Sequence, residues 1–283
     1  MRRCLMRSRQ SAFSLLETLV ATAITVGIGA VAFQLFHQNE RLFRDQAVIL
    51  EMQQGARVVV SQIGDDVRMA GQGVPPGLAE IILPGSGSSR LNMRTSFSAV
   101  ESTVVSPLPV PVAAGNALTV IVESTAGFSA GRQAYLWADL SWTRGAINSV
   151  SGAARSIRLT PSMVSPSPLE FVVPPAISLD EAVSLYFDST TKTVRRTTAT
   201  NTENASSPSW APANELAANV TDLVFTYLDS GGVPVIPDTL EHRSQIVSIE
   251  ARVVVRASAP LSDGSRPAYA LSTRVVPRNI GLR

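Results

Sequence analysis

Phe13-Ser14-Leu15-Leu16-Glu17, followed by a stretch from Thr18 to Asn39 with no Asp, Glu, Lys or Arg, decides the architecture of this 283-residue chain. The stretch carries Leu19, Val20, Ile24, Val26, Ile28, Val31, Phe33, Leu35 and Phe36. Phe13 to Phe36 is 24 residues, and at about 1.5 Å per helical residue it measures roughly 36 Å, more than the ~30 Å of a bilayer's hydrocarbon core. The spacing predicts a membrane-crossing helix over 13–36, in contact with lipid along its length.

On the N-terminal side the charge is one-sided. Arg2, Arg3, Arg7 and Arg9 precede the apolar run with no acid among the first twelve residues, whereas Glu40, Arg41, Arg44 and Asp45 after it cancel. The positive-inside rule therefore puts the N-terminus in the cytoplasm and the bulk of the chain on the far side. The same four arginines account for the formal net charge of +2; without them 20 basic residues face 22 acidic ones. Cys4, the one cysteine, lies in this segment too, so the rest of the chain forms neither a disulfide nor a thiolate metal site. Only 16% of residues are charged, below the roughly 25% of an average soluble domain, and the 45% hydrophobic content excludes a disordered chain.

Glu17 is out of place in an apolar helix, where a central charge costs roughly 2.5–3.5 kcal/mol on insertion scales. A cut between Ala12 and Phe13 would create an amino group four residues before it, and a neighbouring copy shifted along the axis would bring its own ammonium to Glu17. At about 4 Å and an effective dielectric near 20 such a pair is worth about 4 kcal/mol before desolvation, comparable with the insertion penalty.

The string Ser11-Ala12-Phe13-Ser14-Leu15-Leu16-Glu17 ahead of a hydrophobic helix resembles the class III signal of type IV prepilins and pseudopilins: a short basic leader, a small residue, then Phe-[ST]-Leu-hydrophobic-Glu. The resemblance implies that a prepilin peptidase recognises Arg7, Arg9, Ser14, Leu15 and Leu16 and cuts after Ala12. Phe13 then becomes the N-methylated first residue, and Glu17 makes the intersubunit charge pair of assembly. The family usually has Gly where this chain has Ala12, and many members carry a proline in the membrane half, where this one has Gly27 and Gly29. Two other targeting readings stay open. Ala30-Val31-Ala32 before Phe33 offers a general secretory cleavage site, and an uncleaved anchor also explains the span.

Beyond Phe36, Leu42, Ile49, Met52, Ala56, Val59, Ile63, Val67 and Ala70 recur every three, four or seven residues, and no proline occurs from 13 to 74. The spacing predicts one helix to residue 70, amphipathic over 37–70, with Glu40, Arg44, Asp45, Glu51 and Asp66 on its other faces. Gly55 to Val60 and Asp65-Asp66-Val67-Arg68-Met69-Ala70-Gly71 are similar to the helix end of PilW-like minor pilins. Gly71, Gly73 and Pro75-Pro76-Gly77 stop it.

From 71 to 283 the period changes to two. Strands are expected at Leu78–Leu83, Ala117–Glu123, Gln133–Trp142, Ala146–Val150, Ser156–Thr160, Ala182–Phe187, Thr193–Thr197, Val220–Leu228, Gln245–Arg256 and Tyr269–Val276. Pro84–Gly115, Pro161–Pro175 and Thr197–Asn214 read as polar loops. Residues 131–160 suggest a meander inside an inserted β module over 116–175. The expected class is α+β, a long N-terminal helix packed on mostly antiparallel sheet. The last third, from Val220 on, resembles the C-terminal sheet of PilW-like minor pilins and J-type pseudopilins, which with the leader implies the type IV pilin fold.

Catalytic chemistry is sparse. His37 and His242 lie far apart in sequence, and no nucleophile elbow, phosphate loop or zinc-protease motif is present. Asp238, Glu241 and His242, or Asp229 with its loop, carry donors for a cation but lack calcium-loop spacing, so no metal and no cofactor is expected. Trp137, Trp142 and Trp210 read as packing residues, and Lys192, Arg195 and Arg196 form too small a basic spot for nucleic acid.

The reading is therefore of a non-enzymatic subunit, single-pass in the bacterial inner membrane with its C-terminal domain periplasmic, later in a pilus. Prepilin peptidase, other pilins or pseudopilins, the inner-membrane assembly platform and lipid through residues 13–36 are its implied partners. A type II secretion pseudopilin and a membrane-anchored binding or adhesin domain are the alternatives.

Overall fold

A computed structural model describes residues 15–277 except 77, 79, 109–111, 166–173, 205 and 206. The leader 1–12, with Arg7, Arg9 and Ala12, as well as Phe13 and Ser14, lies outside the described residues. The first element is a single helix, α1, Leu15–Met69. Gly71 at φ 80° ends it, and the Gly71 N–H is received by the Arg94 carbonyl at 2.8 Å.

The strands follow in chain order. They are β1 Arg90–Arg94, β2 Glu101–Thr103, β3 Leu118–Ile121, β4 Gln133–Ala138, β5 Ser141–Ser151, β6 Ser156–Val164, β7 Ala176–Leu179 and β8 Ala182–Asp188. Then come β9 Thr193–Asn201, β10 Ser209–Trp210, β11 Asn214–Ala217, β12 Val220–Leu228 and β13 Pro234–Val235. A short helix, α2 Leu240–Gln245, precedes β14 Ser248–Arg256 and β15 Ala268–Val275. Every pairing among the described strands is antiparallel. The class is α+β.

The chain divides into two compact units. One holds α1 through Leu50 with Ala259–Arg266, and the other holds Glu51–Ser258 with the chain from Pro267 onward. In the first unit Asp45 accepts from the Ser262 amide at 2.9 Å and the Ser262 hydroxyl at 2.6 Å, tying the 259–266 loop to the helix.

The second unit contains three sheets, in strand order β1-β8-β9-β10 with β11 also on β9, β13-β12-β14-β15, and β2-β7-β4-β5-β6-β3. Its helical segment buries Met52, Ala56, Val59, Ile63 and Val67, so the expected stripe is real from Met52 on. Leu42 is exposed instead, and Ile49 is half-buried. Asp66 is a correction: it sits on the buried face, with no solvent exposure, because Arg196 of β9 meets it there. The six-stranded sheet has its own apolar core, including Val120, Leu136, Ile147, Ile157, Leu159 and Ile177.

Several expected boundaries move. Pro84–Gly115 is no plain loop, since it contains β1 and β2, with Leu91 and Met93 fully buried. Among the described residues of Leu78–Leu83 the strand pairing is an isolated bridge between Ile82 and Met93. Gln133–Trp142 is a hairpin, β4 and β5 folding at Asp139, which takes φ 53°, so that Trp137 faces Trp142 across the pair. β6 runs on to Val164, past the expected loop start, and β10 lies inside the supposed loop at Thr197–Asn214. Gln245, expected to open a strand, instead ends α2, which Thr239 caps by accepting from the His242 amide at 3.1 Å.

Candidate functional site

Every side chain from Leu15 to Arg44 is exposed, including Leu15, Leu16, Leu19, Ile24, Phe33 and Phe36. This helix is long and apolar enough to cross a membrane. Its threonine hydroxyls are satisfied locally: those of Thr18, Thr22 and Thr25 donate to the carbonyls of Leu15, Thr18 and Ala21 at 2.8–2.9 Å. That back-bonding hides polar groups where lipid offers no partner. Glu17 stands in the first turn of α1, where the helix dipole favours an anion. Gly27 and Gly29 meet nothing within 4 Å.

The chemistry-bearing residues resolve into structural roles. His37 lies 3.7 Å from Glu40 and edge-on to Phe33. His242 is 2.6 Å from Asp238, and that hydrogen bond draws the Asp238 carboxyl below its usual range. Asp229 accepts from the amides of Gly231 and Val233, which makes it a turn former. Among the described residues no group of three His, Cys, Asp or Glu is arranged for a metal. Trp142 packs edge-to-face on Tyr135, and Trp210 packs against Leu83, Ala182 and Ala199. The basic spot is divided: Arg196 turns to Asp66, Arg195 lies 3.5 Å from Asp188, and Lys192 lies over the Phe187 ring.

Two ionic features escape a reading of sequence. The Arg196 guanidinium meets both Asp66 oxygens, at 2.8 and 3.0 Å, bridging α1 to β9. Replacing Arg196 by leucine would strand a buried carboxylate and is expected to cost about 3–5 kcal/mol, while Asp66→Leu with Arg196→Leu should recover much of it. Urea titration of the two variants reads the difference. Equal stability of the single and double variants would refute the pairing.

The second feature joins sheets. Asp180, fully buried, accepts from Arg94 of β1 at 2.9 Å and from Arg144 of β5 at 2.7 Å. Arg94 also meets the Tyr135 hydroxyl and lies 3.4 Å from Glu80, which in turn lies 3.2 Å from Arg243 of α2. Burial, with the Asp180 charge beside it, pushes the Tyr135 phenol far above its usual value. Glu181 holds Arg132 at 3.0 Å and caps the Ser98 amide and hydroxyl. No periodicity signals these residues, because Asp180 and Glu181 sit in the two-residue connection between β7 and β8, while Arg94 and Arg144 are charges at buried strand positions. The chain matches no protein-family model, no curated protein and no solved structure.

Proposed function

We propose that this chain is a minor pilin or pseudopilin, a non-enzymatic subunit processed by prepilin peptidase and assembled into a type IV pilus or its initiating tip complex. The observation carrying the reading is α1 itself. One unbroken helix exposes every side chain from Leu15 to Arg44 and buries the stripe from Met52 to Val67 against antiparallel sheet, with Glu17 at its head. A generic anchor needs the apolar run but not this continuity or the Phe13-Ser14-Leu15-Leu16-Glu17 string.

Assembly is then an exchange of lipid contacts for helix contacts. Ala21, Ala23, Thr25, Gly27 and Gly29 admit a close neighbour, and Glu17 receives the amine of Phe13 from an adjacent subunit. Before assembly the subunit resides in the inner membrane, N-terminus cytoplasmic, alongside the assembly platform and the other pilins. The mature N-terminus tests this directly. Mass spectrometry of membrane-purified protein should find Phe13, methylated, as the first residue; Phe33 would mean ordinary secretion and Met1 a plain anchor, and either would overturn the proposal.

A further inference from the structure

Residues 95–181 leave the β1–β8 pair and return to it at one point. Arg94, the last residue of β1, and Ala182, the first of β8, are ladder partners, and just beyond them the Thr95 amide donates to the Glu181 carbonyl at 3.0 Å. The stretch between is an insertion between two neighbouring strands. Its strands, in the order β2-β7-β4-β5-β6-β3, close on themselves. The chain just past β2 meets the chain just past β3: Val104 bridges Val122, the Val105 amide donates to the Ile121 carbonyl at 2.9 Å, and the Glu123 amide donates to the Thr103 carbonyl at 3.0 Å. The two outer strands thereby cover each other's edge, and the sheet becomes a barrel.

The barrel has an apolar core drawn entirely from the insertion, with its members lying between Val100 and Leu179. Among the described strands no ladder joins a barrel strand to one outside it. The seam to the body is rich in polar contacts instead. Besides the Asp180 carboxylate with Arg94, the Arg144 guanidinium donates to the Thr202 carbonyl, the Ser178 hydroxyl to the Gly73 carbonyl, the Thr95 hydroxyl to the Met69 carbonyl and the Ser96 amide to the Gln72 carbonyl, the last three at 2.8 Å. Leu78 and Val74 add an apolar patch against Tyr135, Trp137 and Trp142. Parting the polar contacts returns charges and amides to water, which offsets part of the cost, whereas splitting an apolar core has no such compensation.

We infer that residues 95–181 are an independently unfolding module: the barrel and the sheet that carries it open separately, and the polar seam between them parts before either core does. The inference stands apart from the pilin reading, since it uses only strand pairing and packing.

The test is hydrogen exchange on full-length protein in detergent micelles. Ile157, in the barrel, and Leu185, in β8, are both fully buried. Ile157→Ala should speed exchange at least tenfold in β4, β5 and β6 and leave β8, β9 and β14 unchanged, and Leu185→Ala should do the reverse. Ile157→Val should show the same selectivity with a smaller factor, which keeps the readout if the alanine variant does not accumulate. Closure is tested separately. Val104 and Val122 form a non-hydrogen-bonded pair, for which Cα atoms lie about 4.5 Å apart, within the span of about 4.4–6.8 Å that a disulfide bridges. In a Cys4→Ser background, Val104→Cys with Val122→Cys should oxidise fully, and the oxidised form should exchange at least tenfold more slowly than the reduced one in the barrel strands alone. Either alanine variant speeding both sets of strands equally would overturn the proposal, as would a cysteine pair that stays reduced under oxidising conditions or a bridge that slows β14 as much as β5.

Discussion

Asp180→Leu should lower the melting temperature by roughly 10 °C, the largest loss expected from any single side chain in the body of the protein. The carboxylate is completely buried between two guanidinium groups that are themselves almost fully enclosed, Arg94 and Arg144. Removing it leaves two like charges in a low-dielectric interior, for which breaking a buried pair costs about 3–5 kcal/mol. That is a large part of a total stability of about 5–15 kcal/mol. Asp180 also presents its carbonyl to the Thr202 hydroxyl at 3.1 Å, a contact that leucine retains, so the loss isolates the charge. Asp180→Asn, which keeps an acceptor but no charge, should fall between leucine and the parent. Thermal melts followed by circular dichroism decide the matter, and a leucine variant as stable as the parent would show that the seam between the β1 and β5 sheets does not depend on this carboxylate.

On the proposed pilin assembly, Glu17→Val should leave membrane insertion unchanged and reduce incorporation into filaments at least tenfold. Insertion should not suffer because valine removes a charge from an apolar helix, where charge is costly. Incorporation should suffer because the neighbour's Phe13 ammonium loses its counter-charge in the same apolar surroundings. A pair worth about 4 kcal/mol before desolvation, reduced by about half on burial, still corresponds to more than a factor of ten at 1.4 kcal/mol per decade. Glu17→Asp, which keeps the charge on a shorter arm, should retain partial incorporation. Carbonate-resistant membrane protein measures the first quantity and sheared surface filaments the second. Normal filament incorporation of Glu17→Val would refute the charge pair, and loss of insertion would refute the view that Glu17 is a cost to the membrane helix.

Much of the architecture was legible because it is local. The 24-residue apolar run, the absence of proline to residue 74 and the three-and-four spacing from Met52 to Ala70 together specify α1, and its observed end at Met69 with Gly71 in the left-handed region follows from residue chemistry alone. β12 coincides with its expected span, Val220–Leu228, where β-branched and aromatic residues predominate. The failures came where burial was not advertised by pattern. β1 was hidden in a Ser/Gly/Pro-rich stretch because Asn92 and Arg94 are polar yet buried, held by Pro84 and Asp180. β4 and β5 merged in the reading because Asp139-Leu140 lacks the glycine that usually marks a two-residue turn.

The candidate assembly surface divides in the same way. Glu17 and the small residues between Ala21 and Gly29 are properties of neighbouring positions, so the chain order alone displays them. Asp66, Asp180 and Glu181 are not, since each looks like an ordinary solvated acid until Arg196, Arg94 with Arg144, and Arg132 arrive from 36 to 130 residues away. That β15 pairs with β14 alone among the described strands is likewise a fact of strand order: nothing in Ala268 to Val275 says whether that strand has one neighbour or two. Propensity and periodicity act over a turn or a strand and can be read residue by residue. Charge burial and edge exposure depend on which distant element occupies the adjoining space, and that is settled only when the chain has folded.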